Sequence, residues 1–182
     1  MSIETLHSLI PAYGRDLSLN LNALLAETTL SDQQKWGALL SCAHAIGVPA
    51  VVQNIEAAAT EVLTPEAITA AKAAAAIMGM NNVYFRALHL MHNREYEGMR
   101  SGLRMNVLGN PGVDKVDFEL WSLAVSAVNG CGLCLDSHEK VLRSHGVSAL
   151  QVQAGLRIAA VINAISAVIR GEAAPNSLPQ AT

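Results

Sequence analysis

Apolar residues recur at spacings of three and four along almost the whole chain, and no stretch alternates with the period of two that marks a half-buried strand. The pattern predicts a short helix over 3–10, ended by Pro11. A second, over 15–27, carries Leu17, Leu21, Leu24 and Leu25 at amphipathic spacing. Ser31 and Gln34 have the spacing of a capping box, in which hydroxyl and amide each satisfy a free N–H at a helix start. They open a helix reaching about residue 45 and stopping at Gly47. Another follows from Pro49 to about residue 63. Thr64 and Pro65 then supply a cap and a first-turn proline. The long alanine-rich helix they open reaches towards His92, and Gly79 within it predicts a kink or a close packing contact.

Beyond Gly98 the pattern gives a short helix over 103–108, before Asn110-Pro111-Gly112. Asp114 caps a helix to about Asn129, Gly130 breaks the chain, and 131–145 forms the next helix, ended by Gly146. Ser148 and Gln151 make a second capping box for a last helix to Arg170, with Gly171 as its stop. The tail, 172–182, holds Pro175 and Pro179 and is expected to be loose. The expected fold is therefore all-α, compact and many-helical, one domain over 1–182. A faint repeat runs through it at an offset of 85: Trp36 and Ser41 match Trp121 and Ser126, and Ile77 matches Ile162. This suggests two related helical halves, with 1–108 mainly structural and 109–171 carrying the chemistry.

Composition narrows the function. About half of the 182 residues are apolar and only 4% are aromatic, which favours closely packed helices. The formal net charge is −3, with no basic cluster, so nucleic acid is a poor partner. The N-terminus lacks the basic start and apolar run of a signal peptide. The most apolar runs, 73–80 and 158–162, are short and flanked by polar residues, so no membrane span is expected. A cytoplasmic location follows as the expectation. Three cysteines do not make a secreted disulfide scaffold. No Gly-rich dinucleotide loop is present, so no tightly bound cofactor is expected.

The segment that draws attention is Asn129-Gly130-Cys131-Gly132-Leu133-Cys134-Leu135-Asp136-Ser137-His138. Two cysteines three apart at a helix start lie on one face of its first turn, close enough for their sulfurs to bond. Free N–H groups and the helix dipole there favour a thiolate. His138 lies one turn beyond Cys134 on the same side and can exchange a proton with a thiol. If the flanking helices form a hairpin turning at Gly130, Glu119 comes within about 4.5 Å of the level of His138, three residues at about 1.5 Å rise each. A carboxylate there, directly or through one water, would orient the imidazole. Ser122 and Ser126 share its face and can hold water. The helix-start position favours Cys131 as the more acidic thiol; the spacing to His138 favours Cys134.

Blander readings stand beside this one. Cys131, Cys134 and His138 can be part of a zinc site in a helical binding module, although no second cysteine pair appears. Cys42 reads as a buried small hydrophobe. His44, His89 and His92 read as surface or satisfied core histidines, and Met78 and Met80 as core filling. A thioredoxin-like protein is disfavoured because its sheet pattern is missing.

At these residues the sequence resembles the alkyl hydroperoxidase D family, within the wider carboxymuconolactone decarboxylase-like superfamily. The resemblance rests on Glu119, the Cys-Gly-Leu-Cys run with His138, the blocks 76–83 and 102–106, and the segments 118–122 and 124–127. It implies an all-α fold, a homotrimer, and thiol-dependent reduction of organic hydroperoxides. The reductant it implies is a dihydrolipoyl group carried by a lipoylated acyltransferase, and a peroxiredoxin is an implied partner. By the same resemblance Cys134 attacks the peroxide and becomes the sulfenic acid. Cys131 donates a proton and then closes the disulfide, and Glu119 and His138 relay protons with a water. Some such proteins carry a histidine where Leu133 stands. A non-redox decarboxylase-like enzyme of the same superfamily is the remaining alternative.

Overall fold

The computed structural model describes residues 2–173. They form eight α-helices and three 3-10 turns, with no strand among the described residues. The helices are α1 (Ile3–Ser8), α2 (Arg15–Leu25), α3 (Asp32–Ile46), α4 (Pro49–Ala59), α5 (Pro65–Leu90), α6 (Lys115–Val128), α7 (Gly132–Ser144) and α8 (Ala149–Glu172). The all-α expectation holds. Both capping boxes form, Ser31 with Gln34 and Ser148 with Gln151, and Thr64 caps α5 through its hydroxyl.

The boundaries differ from the pattern where tertiary contacts intervene. α2 ends at Leu25, short of residue 27, because the buried Lys35 ammonium donates to the Leu25 and Glu27 carbonyls at 3.0 and 3.1 Å. α4 ends at Ala59, where the Thr60 hydroxyl bonds back to the Glu56 and Ala57 carbonyls. α5 runs unbroken through Gly79, and a Cβ there would meet nothing within 4 Å, so close packing is not its role. The short helix expected over 103–108 is only a 3-10 turn, Asn106–Leu108. It follows Gly102 at φ 67, and so few residues cannot offset the cost of helix nucleation. α8 passes through Gly171 to Glu172, so that glycine is not its stop. Of the tail expected to be loose, 174–182 lies outside the described residues.

α6 is the central element. Every residue from Asp117 to Ser126 is buried, and α3, α5, α7 and α8 all pack against it. α3 crosses it closely. A Cβ at Gly37 would overlap the indole of Trp121, whose N–H donates to the Gln34 carbonyl at 3.1 Å. Around this crossing Leu39, Leu40, Ile55, Leu120, Ile158 and Ile162 are fully buried.

The repeat seen in sequence also runs through the element order. Shifted by 85, α3, α4 and α5 fall on 117–131, 134–144 and 150–175, close to α6, α7 and α8. At that offset Glu119, Cys131, Cys134 and His138 correspond to Gln34, Ile46, Pro49 and Gln53. Only the second set holds a carboxylate, an imidazole and thiols.

The apolar run in α8 is longer in effect than the sequence pattern suggested. By length and composition alone this helix is long and apolar enough to cross a membrane, despite Arg157 and Asn163. Half of its most apolar window is buried inside the chain, against α2, α3 and α6.

Candidate active site

The site forms where α6 turns into α7. Gly130 holds φ 66, a backbone state that favours glycine, and reverses the chain between the two helices. The turn is fastened from α5. Asn82 donates to the Ser126 hydroxyl at 2.9 Å and accepts from the Asn129 amide at 3.0 Å, and the Arg86 guanidinium donates to the Asn129 carbonyl.

Cys131 is the N-cap of α7. Its sulfur accepts from the Cys134 N–H at 3.3 Å. The two cysteines are joined as a disulfide, with Cα atoms 5.3 Å apart. The pair differs in access. Cys131 has no exposed surface, whereas Cys134 is 6% exposed and lines a cavity of about 350 Å³. His138, Ser137, Leu133, Met78, Asn81, Phe85, Met105 and Leu108 complete its walls.

Glu119 and His138 meet directly. The Nδ1 of His138 lies 2.6 Å from a carboxylate oxygen of Glu119, and both side chains are nearly buried. The hairpin expected at Gly130 therefore exists, and no water is needed to bridge its mismatch. The other nitrogen, Nε2, lies 3.2 Å from the thioether of Met78. A thioether only accepts, so this contact is a hydrogen bond when Nε2 carries a proton. The carboxylate thus fixes one edge of the ring, and the other edge lies against Met78 at the cavity that both residues line.

The remaining candidates separate cleanly. Ser126 accepts from Asn82, while the buried Ser122 hydroxyl has no partner among the described residues. Cys42 is fully buried, and burial pushes its thiol up to about 12, so it is not a nucleophile at neutral pH. His44 pairs with Glu56 at 3.0 Å, and His89 is exposed. Among the described residues no group of three or more His, Cys, Asp or Glu side chains is arranged to hold a metal ion.

Met78 is more than core filling: it contacts His138 and also lies within reach of the Asn82 amide and the Ser126 hydroxyl. α5, in the half read as mainly structural, supplies Met78, Asn81 and Phe85 to the cavity wall. Their spacing of three and four along one helix face was the available signal, but an alanine-rich helix gives many such triplets.

An all-helical fold with a Cys-x-x-Cys pair at a helix N-terminus, beside a buried carboxylate–imidazole pair, defines a dithiol redox protein built without a thioredoxin sheet. The model of the carboxymuconolactone decarboxylase family matches residues 94–176. "Alkyl hydroperoxide reductase AhpD" of Maricaulis maris is 60% identical, over 94% of this chain and 99% of its own length. The protein of the same name from Hyphomonas neptunium is 60% identical over 96% of this chain and 97% of its own, and that of Streptomyces avermitilis 54% over 95% and 98%. The chain belongs to the AhpD family.

Proposed function

We propose that the protein is a thiol peroxidase that reduces alkyl hydroperoxides through a Cys131/Cys134 dithiol–disulfide cycle. The observation that carries this reading is the difference in access within the bonded pair. Cys134 faces a mainly apolar cavity shared with His138, and Cys131 lies buried behind it, already bonded to it. That asymmetry supports Cys134 as the attacking sulfur, a choice the spacing of residues alone leaves open.

The cycle follows from sulfur chemistry. The Cys134 thiolate attacks the terminal peroxide oxygen; an S–O bond forms, the O–O bond breaks, and an alkoxide leaves. A proton from Nε2 of His138, or from the Cys131 thiol, converts the alkoxide to an alcohol. The sulfenic acid on Cys134 condenses with Cys131: the S–S bond forms, the S–O bond breaks, and the hydroxide leaves as water with whichever proton, that of the Cys131 thiol or that of His138, the alkoxide did not take. Glu119 holds the imidazole in place and balances its positive charge. A dithiol then reopens the disulfide by exchange. The dihydrolipoyl group of a lipoylated acyltransferase fits this step, since two sulfurs on a flexible arm can enter a recessed cavity. The names of the relatives place them with alkyl hydroperoxide reduction, and on that footing a peroxiredoxin of the AhpC type is a proposed partner. A homotrimer and a cytoplasmic location belong to the same proposal.

The test is turnover of an organic hydroperoxide with dihydrolipoamide as reductant, wild type beside Cys134→Ser. Turnover by the wild type and its loss in the variant is the expected result. Equal rates in the two proteins, or none in either, would refute the proposal.

A further inference from the structure

A buried methionine ordinarily fills a gap among apolar atoms. Three polar groups instead close on the thioether of Met78, a residue only 1% exposed. Nε2 of His138 lies 3.2 Å away, the Ser126 hydroxyl 3.7 Å and the Asn82 amide nitrogen 3.8 Å. A thioether only accepts, so each of these groups can donate to it. Two of the three are themselves fixed. The Asn82 amide also donates to the Ser126 hydroxyl at 2.9 Å, and its oxygen accepts from Asn129 at 3.0 Å. The Ser126 carbonyl accepts the N–H of Cys131 at 3.0 Å. The sulfur is thus held from α5 and α6, by residues that also hold the turn before Cys131.

The consequence falls on the imidazole. Glu119 grips Nδ1 at 2.6 Å, and a single hydrogen bond leaves a ring free to tilt about it. A contact at the opposite edge fixes the ring plane. The kind of acceptor matters as much as its place. A second carboxylate at Nε2 would compete for the proton, whereas a thioether is a weak acceptor. It orients Nε2–H and yields it to any stronger acceptor that arrives, an alkoxide above all.

We infer that Met78 is a positioning residue, whose thioether holds Nε2–H of His138 ready for delivery to the leaving alkoxide. This rests on the peroxidase reading above and deepens it. The Cys134 thiolate attacks the terminal peroxide oxygen. The S–O bond forms with the sulfur's electron pair, the O–O bond breaks, and the alkoxide carries that bond's pair away. Sulfur is oxidised and the peroxide reduced. The alkoxide takes the Nε2 proton, directly or through one water, and leaves as the alcohol, so the imidazole ends neutral. The Cys131 thiol proton then departs with the sulfenic hydroxide as water. Met78 exchanges neither proton nor electron in this sequence; it acts only through the ring.

The experiment compares two oxidants that differ in their need for a proton. Cumene hydroperoxide releases an alkoxide, which needs one. Peracetic acid releases acetate, which is stable unprotonated at neutral pH. Reduced protein is mixed with each, and free thiols are counted after acid quench, three before oxidation and one after it. The proteins are wild type, Met78→Leu, His138→Gln and the double variant. Leucine removes the acceptor at nearly constant volume, a swap that cores tolerate, and urea midpoints check the fold. Met78→Leu is expected to slow oxidation by cumene hydroperoxide about 3-fold to 10-fold, and by peracetic acid less than about twofold. In the His138→Gln background it should slow neither reaction further. An unchanged rate with cumene hydroperoxide would overturn the role of Met78. So would equal slowing with both oxidants, which marks a packing defect at Cys134, or a double variant whose loss is the product of the single losses. A wild type inert to both oxidants would sink the peroxidase reading and this role with it; a reactive wild type matched by Met78→Leu sinks this role alone.

Discussion

If Glu119 acts only by holding His138 and balancing its charge, its carboxylate is replaceable in shape but not in function. Glu119→Gln keeps the volume and an oxygen that can accept from Nδ1, across a contact of 2.6 Å in the native protein. What is lost is the charge. Two unit charges about 4 Å apart attract by about 4 kcal/mol at an effective dielectric constant near 20, and desolvation of a nearly buried pair offsets part of this. A charge-assisted hydrogen bond retains about 1.5–3 kcal/mol net. If that strength is felt only when the imidazole is charged, as it is while serving as proton donor, the oxidation step should slow by roughly 10-fold to 150-fold. The assay is the oxidation rate of reduced protein by hydroperoxide for wild type, Glu119→Gln, His138→Gln and the double variant. Because the carboxylate works through the imidazole, the double variant should be about as slow as His138→Gln alone. Urea midpoints of the four proteins separate this from a folding defect. A Glu119→Gln rate within twofold of wild type would refute the reasoning, as would a double variant whose loss is the product of the single losses.

Three further outcomes are expected. Gly37→Ala should destabilise the fold by about 2 kcal/mol: the gain in helix propensity is outweighed by overlap with Trp121 and strain on its bond to Gln34; a denaturant midpoint at or above wild type would contradict the close crossing of α3 and α6. In the oxidised native protein no thiol should react with a thiol reagent at neutral pH, and one should react after unfolding, because burial holds the Cys42 thiol near 12; rapid labelling of folded protein would show that Cys42 is accessible. Lys72→Met should cost about 0.3–1 kcal/mol at neutral pH, since its ammonium is the main cause of the lowered pKa of Glu56. A depressed carboxylate stabilises the fold above its unfolded value and loses that contribution as pH falls through its folded value, so the difference should shrink steadily as pH falls below the ordinary carboxylate range; a difference that does not shrink would have another origin.

What the sequence disclosed and what it hid follow from the range of the interactions. Capping boxes join residues three apart, so Ser31 with Gln34 and Ser148 with Gln151 were legible. The pairing of Glu119 with His138 was legible too, because one glycine turn fixes the register of two consecutive helices. Met78, Asn81 and Asn82 were not. They reach the site from α5, and Met78 is 60 residues from its histidine partner, so no local pattern marks them. The missing turns of α2 likewise depend on Lys35, a side chain from the next helix that caps carbonyls no periodicity shows as taken. Gly79 and Gly171 stand as warnings: a glycine in a helical stretch marks a break only where the backbone adopts positive φ, as at Gly47, Gly130 and Gly146.

The cysteines that close the disulfide are separated by only three residues, within the first turn of α7. A covalent loop so small restricts the unfolded chain little, by roughly 2 kcal/mol in the entropic picture against about 4.7 for a loop of a hundred residues. The helices that pack around α6 are joined by side-chain packing, not by this bond. Opening it should therefore lower the Tm by only roughly 4–8 °C in a chain of this size, and not unfold it. A catalyst that breaks and remakes a covalent link at every turnover would then stay folded in both states, somewhat more durable when short of reductant than when fully supplied.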